Sequence, residues 1–243
     1  KIDLIPFFNG FSDSLTKRYR KAVVQISLPN YYGLSMKGYN QAHEHVSFND
    51  KLRALNEKQT YAYLDQKDTR LFYKLYFSVL DYVNALEQII PNKKIDPNNY
   101  IEPDELVNLI EVFWKAKDRF IDGYVQKNPL NLTYRNLNII KDFKYGMRKN
   151  FLLAVYEKNY TVLNDEGINY MVKGLNENLD KFIPAEKTPM LIQTAIMPFN
   201  GMIIYDGFIS TADMQLSQEL VSKAFEDYSY GQKIYSLLPK NMN

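Results

Sequence analysis

The sequence predicts an α+β fold that is mainly helical: a helical bundle, then a small antiparallel sheet and a C-terminal helix. Three observations predict it. Before Asn159, apolar residues recur at helical spacing; from Tyr160 the period drops to two; and Asn200-Gly201 stands between two apolar runs. An Asn-Gly pair in that setting is a strong hairpin signal, because both central positions of a type I′ turn need positive φ. The change of period divides the chain into a helical region, residues 1–158, and a sheet with its closing helix, residues 159–243, packed together as one compact unit.

Each element follows from local pattern. Residues 1–11 form an apolar arm broken by Pro6 and Gly10. Ser12 or Ser14 caps a helix that runs to Ile26, with Leu15, Tyr19, Ala22 and Val23 on its stripe. Residues 27–48 read as an irregular connection, and a short helix is expected between Asp50 and Leu64. The clearest helix follows. Leu71, Phe72, Leu75, Tyr76, Val79, Leu80, Val83 and Leu86 make a broad apolar stripe that Pro91 ends. Pro103 suits a first helical turn, with Asp104 and Glu105 placed favourably against the dipole and an inner face reaching Tyr124. Thr133 caps a fourth helix through Leu137, Ile140, Met147, Phe151 and Val155. Strands are expected at Tyr160–Leu163 and Ile168–Val172, around the turn Asn164-Asp-Glu-Gly167. A helical turn spans Asn176 to Ile183, and the Asn-Gly hairpin joins Met190–Phe199 to Met202–Ile209. Ser210, with Asp213 three residues on, opens the last helix on Leu216, Leu220, Val221, Ala224 and Tyr228.

Composition narrows the chemistry. The chain has 243 residues and a net charge of +2, from 30 basic and 28 acidic side chains, so it has no overall electrostatic commitment to nucleic acid or membrane. With no cysteine, a disulfide framework, a thiol nucleophile and a thiolate metal site are excluded, and a reducing, cytoplasmic setting is expected. No apolar run approaches the roughly 20 residues of a membrane span. The sequence opens at Lys1 rather than Met, which is compatible with removal of a leader.

Three features between Asn159 and Ser210 carry a resemblance: Tyr160-Thr-Val-Leu, the strand ending in Val172-Lys-Gly-Leu175, and the hairpin Pro198-Phe-x-Gly-x-Ile-Ile-Tyr-Asp-Gly207. This segment resembles a group of poorly characterised bacterial proteins. Some members of the group resemble one another further in ending with a SEC-C type Cys/His metal motif. This chain has no cysteine, so that motif does not carry over. The resemblance implies a shared β unit and no agreed activity.

The candidate sites are few. His43 and His45, the only histidines, would point the same way along an extended segment and offer a metal two ligands, but no third ligand accompanies them. Asp206 lies in an apolar strand, where burial would raise its pKa and suit it to acid–base work. The simpler reading is an Asp-Gly bulge whose side chain bonds neighbouring backbone amides; Asp165 and Glu166, its possible carboxylate partners, are explained by their turn. Lys17, Arg18, Arg20 and Lys21 on the first helix, and Lys141, Lys144, Arg148 and Lys149 on the fourth, are candidate phosphate contacts. Helical geometry disperses both runs, which favours solvated faces. No phosphate-binding loop, dinucleotide fingerprint, nucleophile elbow or zincin motif occurs. The reading is a bacterial interaction or regulatory protein that partners another protein, with no cofactor, no metal and no catalysis of its own. The alternatives are a nucleic-acid-associated protein using the basic helix faces and a metal-independent hydrolase using Asp206.

Overall fold

The computed structural model describes residues 6–7, 26–27, 62–211 and 216–239. Two-residue strands β1 (Pro6–Phe7) and β2 (Ile26–Ser27) pair in parallel, so Ile26, expected to end a helix, is in a strand. The remainder of the expected first helix, His43, His45, and Lys17, Arg18, Arg20 and Lys21 lie outside the described residues.

The long apolar stripe forms helix α1 (Gln66–Glu87). Asp65 caps it by accepting a hydrogen bond from the Asp68 N–H, and Gln88 ends it in the left-handed region. Asn84 then bonds both the N–H and the carbonyl of Ile90, at 2.8 and 2.9 Å, which turns the chain before Pro91 is reached. The helix expected from Pro103 to Tyr124 is two helices, α2 (Pro103–Lys115) and α3 (Lys117–Lys127), parted at Ala116. Thr133 caps α4 (Tyr134–Asp142), its hydroxyl accepting from the Asn136 N–H.

The expected fourth helix is corrected beyond that point. After one 3₁₀ turn (Phe143–Tyr145) and Gly146, residues Met147–Tyr156 form strand β3. The helical reading of residues 1–158 therefore fails for the ten residues of β3, which belong to the sheet. Phe151 and Leu153 point into the core two residues apart, the spacing of a strand.

The sheet continues with β4 (Thr161–Asp165), β5 (Ile168–Lys173), β6 (Met190–Phe199) and β7 (Met202–Thr211). Its strands run β4-β3-β6-β7-β5, and β4 also pairs with β5, which closes the ring into a barrel. Three successive strands with the fourth returning beside the first, β6-β3-β4-β5, is a Greek key. The closure β5–β7 is parallel, pairing Val172 with Ile203 and Lys173 with Ile204; the other ring pairings are antiparallel. The hairpin turn forms as the sequence predicts, with Asn200 at φ 48° and Gly201 at φ 78°. Between β5 and β6 the expected helical turn is a 3₁₀ turn, Leu179–Lys181, whose Leu179 joins the core, and a second 3₁₀ turn, Ala185–Lys187, follows it.

Helix α5 (Gln218–Tyr230) and the short strand β8 (Gln232–Ile234) follow. The helix is capped by Ser217, not Ser210, which ends inside β7. Strand β8 extends β5 in parallel. The Tyr228 side chain of α5 packs against Ala154, Val162 and Met171, on the outer face of β3, β4 and β5. Helices α1 to α4 and the barrel share one continuous apolar core. Phe72 of α1 lies at its centre, with its ring centroid 5.7 Å from Phe199 of β6 and 6.2 Å from Phe143.

Candidate functional site

Asp206 is the one buried carboxylate among the described residues, and its surroundings are built by a defect in the β6–β7 ladder. Thr194 pairs with Ile209 and Ile196 with Tyr205, so Asp206, Gly207 and Phe208 together oppose Ala195. This is a bulge, and Gly207 supplies the φ of +94° that it requires. The bulge aims the carboxylate at backbone donors. Its Oδ1 accepts the Phe208 N–H at 3.1 Å, and the Ala195 N–H also bonds the carboxylate. The Thr194 hydroxyl donates to the Phe208 carbonyl at 2.7 Å and holds the bulge from the opposite strand.

The other partners come from distant parts of the chain. Tyr76 of α1 donates its hydroxyl to Asp206 Oδ2 at 3.2 Å, across 130 residues of sequence. Arg148 of β3 is the nearby cation, and its Nε donates to Glu111 Oε1 of α2 at 2.9 Å. The Arg148 side chain is 8% exposed and Glu111 37%, so the network reaches solvent only through Glu111. One further Arg148 nitrogen, Nη1, is buried without a hydrogen-bond partner among the described residues, and the Trp114 indole lies beside the Tyr76 hydroxyl.

Burial pushes the Asp206 pKa up from 3.8 to about 6, against the opposing pull of Arg148, the Phe208 N–H, Tyr76 and the Ala195 N–H. Burial likewise lifts Tyr76 well above 10.0, and the negative Asp206 adds to it. For Arg148, burial disfavours the charge, but Asp206 and Glu111 outweigh it and the pKa rises. The result is an acid poised near neutrality and sealed from solvent. The arrangement ties the barrel strands β7 and β3 to the α1–α2 pair.

That poise gives a testable pH dependence. Between about 3.8 and about 6 the folded chain keeps a proton on Asp206 that the unfolded chain has released. This stability is fully present below the lower value and lost as pH rises through the upper one. Asp206→Asn carries no such proton. It is expected to cost about 1–3 kcal/mol at neutral pH, and the gap to wild type should widen by on the order of 2–3 kcal/mol as pH falls from about 7 to about 4. Urea melts of both proteins across that range measure the gap; one that narrows on acidification contradicts the assignment.

The other sequence candidates are scattered. Lys144 lies in the 3₁₀ turn and pairs with Asp122, while Lys149 of β3 pairs with Asp165. Arg148 is in a strand and buried, so Lys144 and Arg148 do not share a solvated helix face. Asp165 ends β4 and Glu166 occupies the following turn at φ 48°, and neither is among the groups that set the ionisation of Asp206. No group of three or more His, Cys, Asp or Glu side chains is placed to hold a metal among the described residues, and no described helix is long and apolar enough to cross a membrane. Sequence reading missed Tyr76, Glu111 and Trp114 as members of this network. A signal for the region did exist: Gly146 followed by the apolar, aromatic run Phe151–Tyr156 marks a strand. A Cβ at Gly146 would meet the Ile196 carbonyl and the Trp114 ring, both at 2.9 Å.

No protein-family model matches this chain, and no curated protein or solved structure matches it.

Proposed function

We propose that this chain is a non-catalytic interaction or regulatory protein of the bacterial cytoplasm, acting on another protein. The observation that carries the reading is the state of Asp206: the side chain best suited to chemistry has no exposed surface, and both its oxygens are engaged. Hydrolysis needs its base within reach of a water and a substrate, and this one is enclosed by the fold it fastens. The same facts weigh against the hydrolase reading.

The nucleic-acid reading loses support from two placements. Lys144 and Arg148 are each committed to a carboxylate. Five-stranded Greek-key barrels that bind oligonucleotides use the face of their second and third strands; here the corresponding strands, β4 and β5, carry Tyr228 of α5 on their outer face, and β5 carries β8 along its edge.

The test is purification of the tagged full chain from its host with nuclease and high salt. The reading expects a protein partner that co-migrates in stoichiometric amount on gel filtration. A chain that elutes alone, and that shifts oligonucleotides with affinity falling steeply as salt is raised, would replace it with the nucleic-acid reading.

A further inference from the structure

A groove of about 350 Å³ lies on the helical side of the molecule, between α1, the 94–98 loop and residues 129–130. That is the lower end of the size range in which small-ligand sites fall, about 300–1,000 Å³. Its buried floor includes Phe77 and Ile95, and Leu130, 51% exposed, stands on its border. Four charged side chains line it: Lys74 and Asp81 from α1, Lys94 and Asp96 from the loop. None of the four forms an ion pair with a described residue. Two charges of each sign therefore border one apolar groove without neutralising one another.

The acids are held in place. Asp81 Oδ1 accepts the Ile95 N–H at 2.7 Å, which ties the loop to the helix. Asp96 Oδ1 accepts the N–H and the side-chain amide of Asn98, at 2.9 and 2.8 Å. In each case one carboxylate oxygen serves the fold, and no described hydrogen bond uses the other. The lysines are exposed and carry compact, adaptable charges. A ligand that satisfies this lining needs an ammonium for Asp81 or Asp96, a carboxylate for Lys74 or Lys94, and an apolar body for the floor. A nucleotide or other multiply charged anion fits poorly, since the lining sums to zero.

We infer that the groove binds the zwitterion of a small apolar α-amino acid, free or as a short peptide. The groove shares no lining residue with the Asp206 network, and it would give the regulatory protein proposed above a metabolite to sense.

Titration calorimetry and thermal-shift measurements on the full chain test this, with L-leucine, L-phenylalanine and the leucyl-leucine dipeptide as probes. N-acetyl-leucine, which lacks the ammonium, and leucine amide, which lacks the carboxylate, complete the set. Saturable binding by at least one zwitterion is expected, with each charge-deleted analogue about tenfold weaker. The dipeptide arm separates the sources: preference for it identifies a peptide, preference for leucine or phenylalanine a free amino acid. Lys74→Gln, at an exposed position, should weaken binding with the melting temperature kept. Asp81→Asn retains an acceptor for the Ile95 N–H and should weaken binding too; if it unfolds the loop, Asp96→Asn replaces it. Absence of saturable binding by every zwitterion, or N-acetyl-leucine binding as well as leucine, overturns the inference.

Discussion

Asp206→Ala is expected to destabilise the protein by about 3–5 kcal/mol, because each buried donor left without its acceptor costs about 1–3 kcal/mol. The variant leaves the Phe208 and Ala195 N–H groups and the Tyr76 hydroxyl without their common acceptor, and removes the negative charge that faces Arg148. Arg148 retains Glu111, which limits but does not remove the penalty. Trp114, the only tryptophan in the chain, adjoins this network on α2 and gives a local probe of its loss. Urea unfolding followed by Trp114 fluorescence and by far-UV circular dichroism should show a large drop in midpoint in both signals. A shift below about 1 kcal/mol would mean that the carboxylate contributes little.

Phe72→Ala should be as damaging, about 3–5 kcal/mol. Its ring is fully buried and meets Tyr73, Tyr76, Phe143 and Phe199, so truncation opens a cavity where α1, the 3₁₀ turn before β3 and the β6–β7 hairpin converge. The effect should be non-additive with Phe199→Ala, because the two rings share a T-shaped contact at 5.7 Å. Calorimetric or urea-melt stabilities of the two single variants and the double variant measure it; full additivity would mean the contact is not a coupled one.

What the sequence revealed tracks how local each determinant is. The hairpin was legible because positive φ at Asn200 and Gly201 is a property of those two residues. Helix α1 was legible because its stripe persists over several turns, and Thr133 because a cap acts within one turn. Strand β3 was not. Leu137, Ile140, Met147, Phe151 and Val155 imitate a helical stripe, and the break at Gly146 is set by contact with Ile196 and Trp114, far along the chain. The division at Ala116 was hidden for a similar reason, since the apolar stripe of α2 continues in phase into α3. At the candidate site, a costly carboxylate in an apolar strand was visible at Asp206, and so was its backbone pairing. Its side-chain partners are tertiary: Tyr76 comes from α1, and Arg148 from a strand whose helical misreading placed it on a solvated face.

On the proposed reading, Asp206 fastens the helices to the barrel and performs no chemistry. Its most direct test pairs the melting curve of Asp206→Asn with its ability to replace the wild-type gene in the host, at a temperature well below the variant's transition. A lowered melting temperature is expected, with function intact wherever the chain is folded. A variant with wild-type melting behaviour and lost function would contradict it and make Asp206 a catalytic residue.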